Sequence, residues 1–151
     1  MTRKEKAYTY FIQGHNCAQS VLCAFADVIQ MDERTLASIS SAFGAGFGRT
    51  RGQCGTVSAM GMVVGMLVEH VEELREDKAH VYAIVQDLMR QFVERNGTVS
   101  CGELLKNVKN LTKGYVPQVR DEEYYKARPC LKFVLDAVEL LEERFQLPPL
   151  E

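Results

Sequence analysis

Fifteen residues, Ser41 to Gly55 (SAFGAGFGRTRGQCG), hold five glycines, two arginines and a cysteine, and the next thirteen, Thr56 to Val68, are the most apolar stretch of the chain. Glycines at that density permit backbone conformations closed to other residues and let neighbouring backbone approach closely. At least one of Gly44, Gly46, Gly48 and Gly52 is therefore expected at positive φ. The apolar run is closed by Glu69-His70 and is too short to cross a bilayer. It reads instead as a buried central helix, from about Cys54 to Leu74, with Gly61 and Gly65 four residues apart where a neighbouring helix can approach. Unpaired N–H groups at a helix N-terminus attract negative charge, and nearby arginines do the same. Cys54 is thus the first candidate for a reactive or metal-ligating thiol, expected to react fastest, and Arg49 and Arg51 are candidate contacts for an anion or cofactor.

On either side of this stretch the periodicity is helical. Lys4–Gln13 carries Ala7, Tyr8, Phe11 and Ile12 on one stripe and stops at Gly14. Asn16 caps a helix from Cys17 to about Gln30, and Asp32 caps another that runs to Phe43. Lys78–Arg95 is amphipathic and stops at Asn96-Gly97. Ser100-Cys101-Gly102-Glu103 fits a capping box, which opens a short helix. Residues 107–119 read as a surface connection and Glu122–Ala127 as a helical turn. Pro129 suits the first position of a last helix to Phe145. No alternating strand pattern and no internal repeat occurs. The expected fold is all-α, a single-domain helical bundle over residues 1–151 with a short disordered tail at 147–151.

With 18 basic and 20 acidic residues the net charge is −2, which favours neither a nucleic-acid partner nor membrane insertion. The first residues show no signal-peptide pattern, so a cytoplasmic location is expected. Five cysteines in a reduced compartment point to redox chemistry or metal binding more than to a disulfide framework. No Cys-x-x-Cys occurs, so zinc-finger and ferredoxin spacings are absent. The glycine loop lacks the Gly-Lys-Ser/Thr ending of a P-loop. Met60, Met62 and Met66 at helical spacing read as core filler, and His15 as a half-exposed surface residue.

Cys17, Cys54, Cys101 and Cys130 each fall at the start of an expected helix, separated by 37, 47 and 29 residues, while Cys23 lies inside one. Four thiols at four helix starts make sense if those starts face one another, each helix end favouring a thiolate. All four are expected in one site, with Cys23 outside it.

Asn16-Cys17-Ala18-Gln19, the loop Phe43–Gly48, Cys54-Gly55-Thr56-x-x-Ala59, Cys101-Gly102-Glu103-Leu104-Leu105 and Arg128-Pro129-Cys130 together resemble the C-GCAxxG-C-C family, small redox-active proteins named for four cysteines. The resemblance runs from about Phe11 to Leu141. Thr56 stands where the name motif has alanine, and Ala59 where it has its second glycine. The resemblance implies a thiol-redox or electron-transfer role for Cys17, Cys54, Cys101 and Cys130, with a redox partner protein or a small-molecule electron donor. Three functions stay open. The chain is a thiol–disulfide oxidoreductase in which Cys54 attacks and a second cysteine resolves, or a four-cysteine metal protein holding [2Fe-2S] or Zn through the same four residues. Otherwise it is a helical interaction module, with the Gly61/Gly65 face as core or homodimer contact.

Overall fold

Thr2 begins the fold in the computed structural model, which describes residues 1–150. Its hydroxyl accepts from the Glu5 N–H while the Glu5 carboxylate accepts from the Thr2 N–H, a capping box that starts α1 (Arg3–Ile12). Asn16 and Gln19 form a second box at the start of α2 (Cys17–Ala24). The helix expected to run on to Gln30 breaks at Phe25, and a short α3 (Ala26–Ile29) ends on left-handed Gln30. Asp32 caps α4 (Glu33–Ser40), which tightens into a 3₁₀ turn over Ser41–Phe43.

The central helix, α5 (Gly55–Leu67), is shorter than expected because Val68 turns extended, and the Asp77 carboxylate takes up the Val71 N–H in the link that follows. Then comes α6 (Leu74–Asn96), capped by Glu73 and ended by Gly97 at φ 93°. Ser100 caps α7 (Cys101–Leu104), Asp121 caps α8 (Glu122–Ala127), and Pro129 stands one place before α9 (Cys130–Phe145). The fold is all-α. Among the described residues there is no strand, and one antiparallel bridge joins Gln53 to Ser100. Among the described residues no helix is long and apolar enough to cross a membrane.

The core lies where α2 and α5 meet α1 and α9, with Val21, Val63, Val134 and Leu141 fully buried. Three local expectations are corrected. On α1 the inward stripe is Arg3, Ala7 and Phe11, while Tyr8 and Ile12 are exposed. Arg3 can be buried because Asp27, Glu142 and the Pro148 carbonyl satisfy its guanidinium. On α5 no neighbour lies within 4 Å of a Cβ placed at Gly61 or Gly65, so no helix approaches there. Of the three methionines only Met60 is core, and Met66 lies open on that same bare side. At the C-terminus Leu147 packs against the core, while Glu151 lies outside the described residues.

Candidate functional site: four thiols around one cavity

The glycine loop takes an unusual path. Ala45, Gly46, Phe47, Gly48 and Arg49 all have φ between 52° and 73°, and Arg51 follows at 62°. Left-handed conformation costs a non-glycine residue about 1–2 kcal/mol, so Ala45, Phe47, Arg49 and Arg51 store strain that glycine alone would not. Positive φ was expected for glycine, and Gly46 and Gly48 show it. Its spread to their neighbours was not expected. The Gly48 N–H donates to the Ala42 carbonyl, Arg51 to Ala45 and Gly52 to Gly46, closing the loop on itself. Gly46 has no room for a side chain, since a Cβ would sit 2.5 Å from the Gly52 nitrogen.

Two anchors fix the loop. At one end the Asn16 amide donates to the Ser41 carbonyl, and a Cβ on Gly44 would lie 2.6 Å from the Asn16 side chain. At the other, the Cys54 N–H donates to the Val99 carbonyl (2.7 Å) and the Cys101 N–H to the Gly52 carbonyl (2.6 Å). The first anchor ties the loop to the start of α2, which carries Cys17. The second ties the start of α5 to that of α7, so Cys54 and Cys101 lie across one short backbone ladder.

The Cys17 sulfur rests on the first turn of α5, where a Cβ on Gly55 would stand 2.8 Å from it and 2.4 Å from the Phe43 carbonyl. The neighbouring Cys54 thiol first, against burial, and then the polar Ala45 N–H, Thr56 hydroxyl and Ala18 N–H around the sulfur bring Cys17 down to about 6. Cys54 moves the other way: its bond to the Cys17 sulfur, then burial, hold its proton. One proton is thus shared by two sulfurs, and Cys17 carries the charge. Cys54 stands at the N-cap of α5 with no side-chain bond into its helix, while Cys17 receives the loop's N–H. Thr56 is fully buried, and its hydroxyl, which makes no regular hydrogen bond among the described residues, lies against the two sulfurs.

Cys17, Cys54, Cys101 and Cys130 all line one cavity of about 370 Å³, and Cys23 lies away from it. Burial, ahead of the opposing Arg51 guanidinium 3.7 Å away, pushes the Cys101 thiol up. Burial and the Cys17 charge push Cys130 up to about 11. Among the described residues no three His, Cys, Asp or Glu side chains are grouped to hold a metal ion. Arg49, expected as an anion contact, spends its guanidinium on the Gly114 and Val116 carbonyls and on Thr112, pinning the 107–119 connection over the cavity. Arg51 faces Cys101. His15 stays outside, its ring against Tyr10.

Residues 15–144 match the family described as "Putative redox-active protein (C_GCAxxG_C_C)". The chain belongs to that family. Searches of curated proteins and of solved structures gave no match. The two departures of this C_GCAxxG_C_C protein from the name motif have different consequences. Ala59 is fully buried and merely fills core space, whereas Thr56 puts a hydroxyl against the paired sulfurs. Arg120, Tyr124 and Arg128 also line the cavity. Sequence reasoning missed them because α8 and its flanks carry little periodicity, and Arg128 drew notice only as a neighbour of Cys130.

Proposed function

We propose that this redox-active protein performs thiol–disulfide exchange, with Cys17 as the attacking thiolate and Cys54 as the resolving thiol. The observation that carries this is the Cys17 sulfur resting on the first turn of α5 beside Cys54, with both residues lining the cavity. An attacking thiol works best with its pKa near ambient pH, because a thiolate is needed but nucleophilicity falls as the pKa falls. Cys17 meets both demands. Cys54 keeps a proton that it can surrender to the departing thiolate, and then attacks the mixed disulfide at Cys17. Cys101 and Cys130 are reserve thiols on the same wall, protonated at neutral pH. A redox partner, protein or small molecule, closes the cycle.

Trapping tests this. Reduced protein treated with dithionitrobenzoate should release two thionitrobenzoate ions per chain from the fast phase and keep no adduct. The Cys54→Ser variant should release one and hold a mixed disulfide at Cys17. Cys17→Ser should lose the fast phase. A fast phase that survives Cys17→Ser contradicts the assignment.

A further inference from the structure

The cavity that holds the four thiols is lined by four arginines, Arg49, Arg51, Arg120 and Arg128, and, among the described residues, by no aspartate or glutamate. The chain as a whole is slightly acidic, so a wall of one sign is a local arrangement rather than a consequence of composition. Among the described residues none of the four is in an ion pair, whereas three of the six arginines elsewhere, Arg3, Arg90 and Arg95, are.

Neutral contacts hold these guanidinium groups instead. Arg49 donates to backbone carbonyls, and Arg120 donates to the Phe11 carbonyl while stacking over the Phe11 ring at 4.6 Å. Arg128 donates to the Gln118 side chain and stacks over Tyr124 at 4.6 Å. Carbonyls and aromatic faces orient a guanidinium without cancelling its charge. Arg49 is accordingly held below the usual arginine range, by burial first and then by Arg51 and Arg128. The single thiolate at Cys17 is too little to balance four cations. Like charges gathered on a half-enclosed wall focus a positive potential into the cavity and draw anions to it.

We infer that the cavity selects small anionic organic disulfides, molecules with a sulfur–sulfur bond and carboxylates at both ends. This deepens the exchange chemistry proposed above and rests on it. The volume suits a small molecule rather than a peptide loop. Tyr115 and Tyr124, both lining the cavity, offer apolar surface to the carbon skeleton, and guanidinium groups match carboxylates in a two-point fork. The Cys17 thiolate attacks one substrate sulfur, forming a Cys17–substrate disulfide and expelling the first thiolate. Cys54 gives its proton to that leaving group and, as thiolate, displaces the second from Cys17. The Cys17 thiolate and the Cys54 thiol are oxidised to one disulfide, and one substrate disulfide is reduced to a thiol and a thiolate, the latter taking its proton from water.

Single-turnover oxidation of the reduced full-length protein tests this with three aliphatic disulfides that differ in charge: dithiodipropionate (anionic), bis(hydroxyethyl) disulfide (neutral) and cystamine (cationic). Each rate is divided by that of the same disulfide with N-acetylcysteine amide, which removes intrinsic reactivity. The expected order is anionic, neutral, cationic, with the anionic compound at least about tenfold ahead of the neutral one at low salt. The preference should shrink severalfold in about 0.5 M KCl with unaltered protein, because the Debye length then falls to a few ångströms. It should shrink again in Arg51→Gln and Arg128→Gln. Equal normalised rates, or a lead for cystamine, overturn the charge selection and leave the exchange chemistry standing. No oxidation by any of the three overturns both.

Discussion

Four polar groups surround the Cys17 sulfur, and they come from three parts of the chain. The Ala18 N–H belongs to its own helix, the Ala45 N–H to the glycine loop, and the Thr56 hydroxyl and Cys54 thiol to the start of α5. Only the first is local in sequence. The helix-start rule, which gathered Cys17 with Cys54, Cys101 and Cys130, counts N–H groups in one helix and does not include N–H groups brought from another segment. The prediction at this scale is a pH profile. Site-mapped alkylation should show Cys17 labelling with a midpoint near 6, nearly constant above about pH 7 and falling tenfold per unit below the midpoint. Cys23 and Cys130, held up to about 11, should stay slow through neutral pH. Thr56→Val should move the Cys17 midpoint upward by roughly half a unit to one unit, since one donor to the thiolate is lost. A Cys17 midpoint in the ordinary range near 8.5 removes the thiolate.

Among the elements, the glycine loop and α5 act as one device, and their glycines are not equivalent. Gly55 must lack a side chain because the Phe43 carbonyl and the Cys17 sulfur occupy the space, whereas Gly61 looks onto open solvent. Gly55→Ala should therefore destabilise by about 2–3 kcal/mol through overpacking. Gly61→Ala should stabilise by about 0.5–1 kcal/mol through helix propensity. Urea unfolding of both variants under reducing conditions checks this, and equal shifts of the same sign contradict it. Much at this scale was legible in sequence: the caps at Asn16, Asp32 and Ser100 and the stop at Asn96-Gly97 all stand where side-chain chemistry put them. The break at Phe25 and the end of α5 at Leu67 were not, because no glycine or proline marks them and tertiary packing sets them. The left-handed path through Ala45, Phe47, Arg49 and Arg51 was hidden for the same reason. Hydrogen bonds and anchors outside the loop impose it on residues that would not choose it.

For the whole molecule, the shared proton couples stability to pH. Between about pH 6 and 9 Cys17 is ionised in the fold and protonated in the unfolded chain, so the unfolded state binds more protons and stability rises with pH, by up to about 1.4 kcal/mol per unit. Above about 9 the unfolded thiols ionise while folded Cys23, Cys54 and Cys130 keep their protons, and stability falls. Denaturant midpoints in reducing buffer should show the rise in the parent and its flattening in Cys17→Ser; a rise unchanged in that variant assigns it to other groups. The all-α bundle and the family were readable from the sequence because cysteine order and helix starts are local features. The arginine wall was not, since Arg49, Arg51, Arg120 and Arg128 meet only when α8 folds back against the glycine loop and the end of α1. The most direct test of the redox pair is a disulfide map of folded, fully reduced protein after one equivalent of diamide, quenched in acid and digested. The predicted product is a single Cys17–Cys54 bond with Cys23, Cys101 and Cys130 recovered as thiols. Recovery of Cys17 and Cys54 as free thiols, or bonding of either to a different cysteine as the main product, contradicts the account.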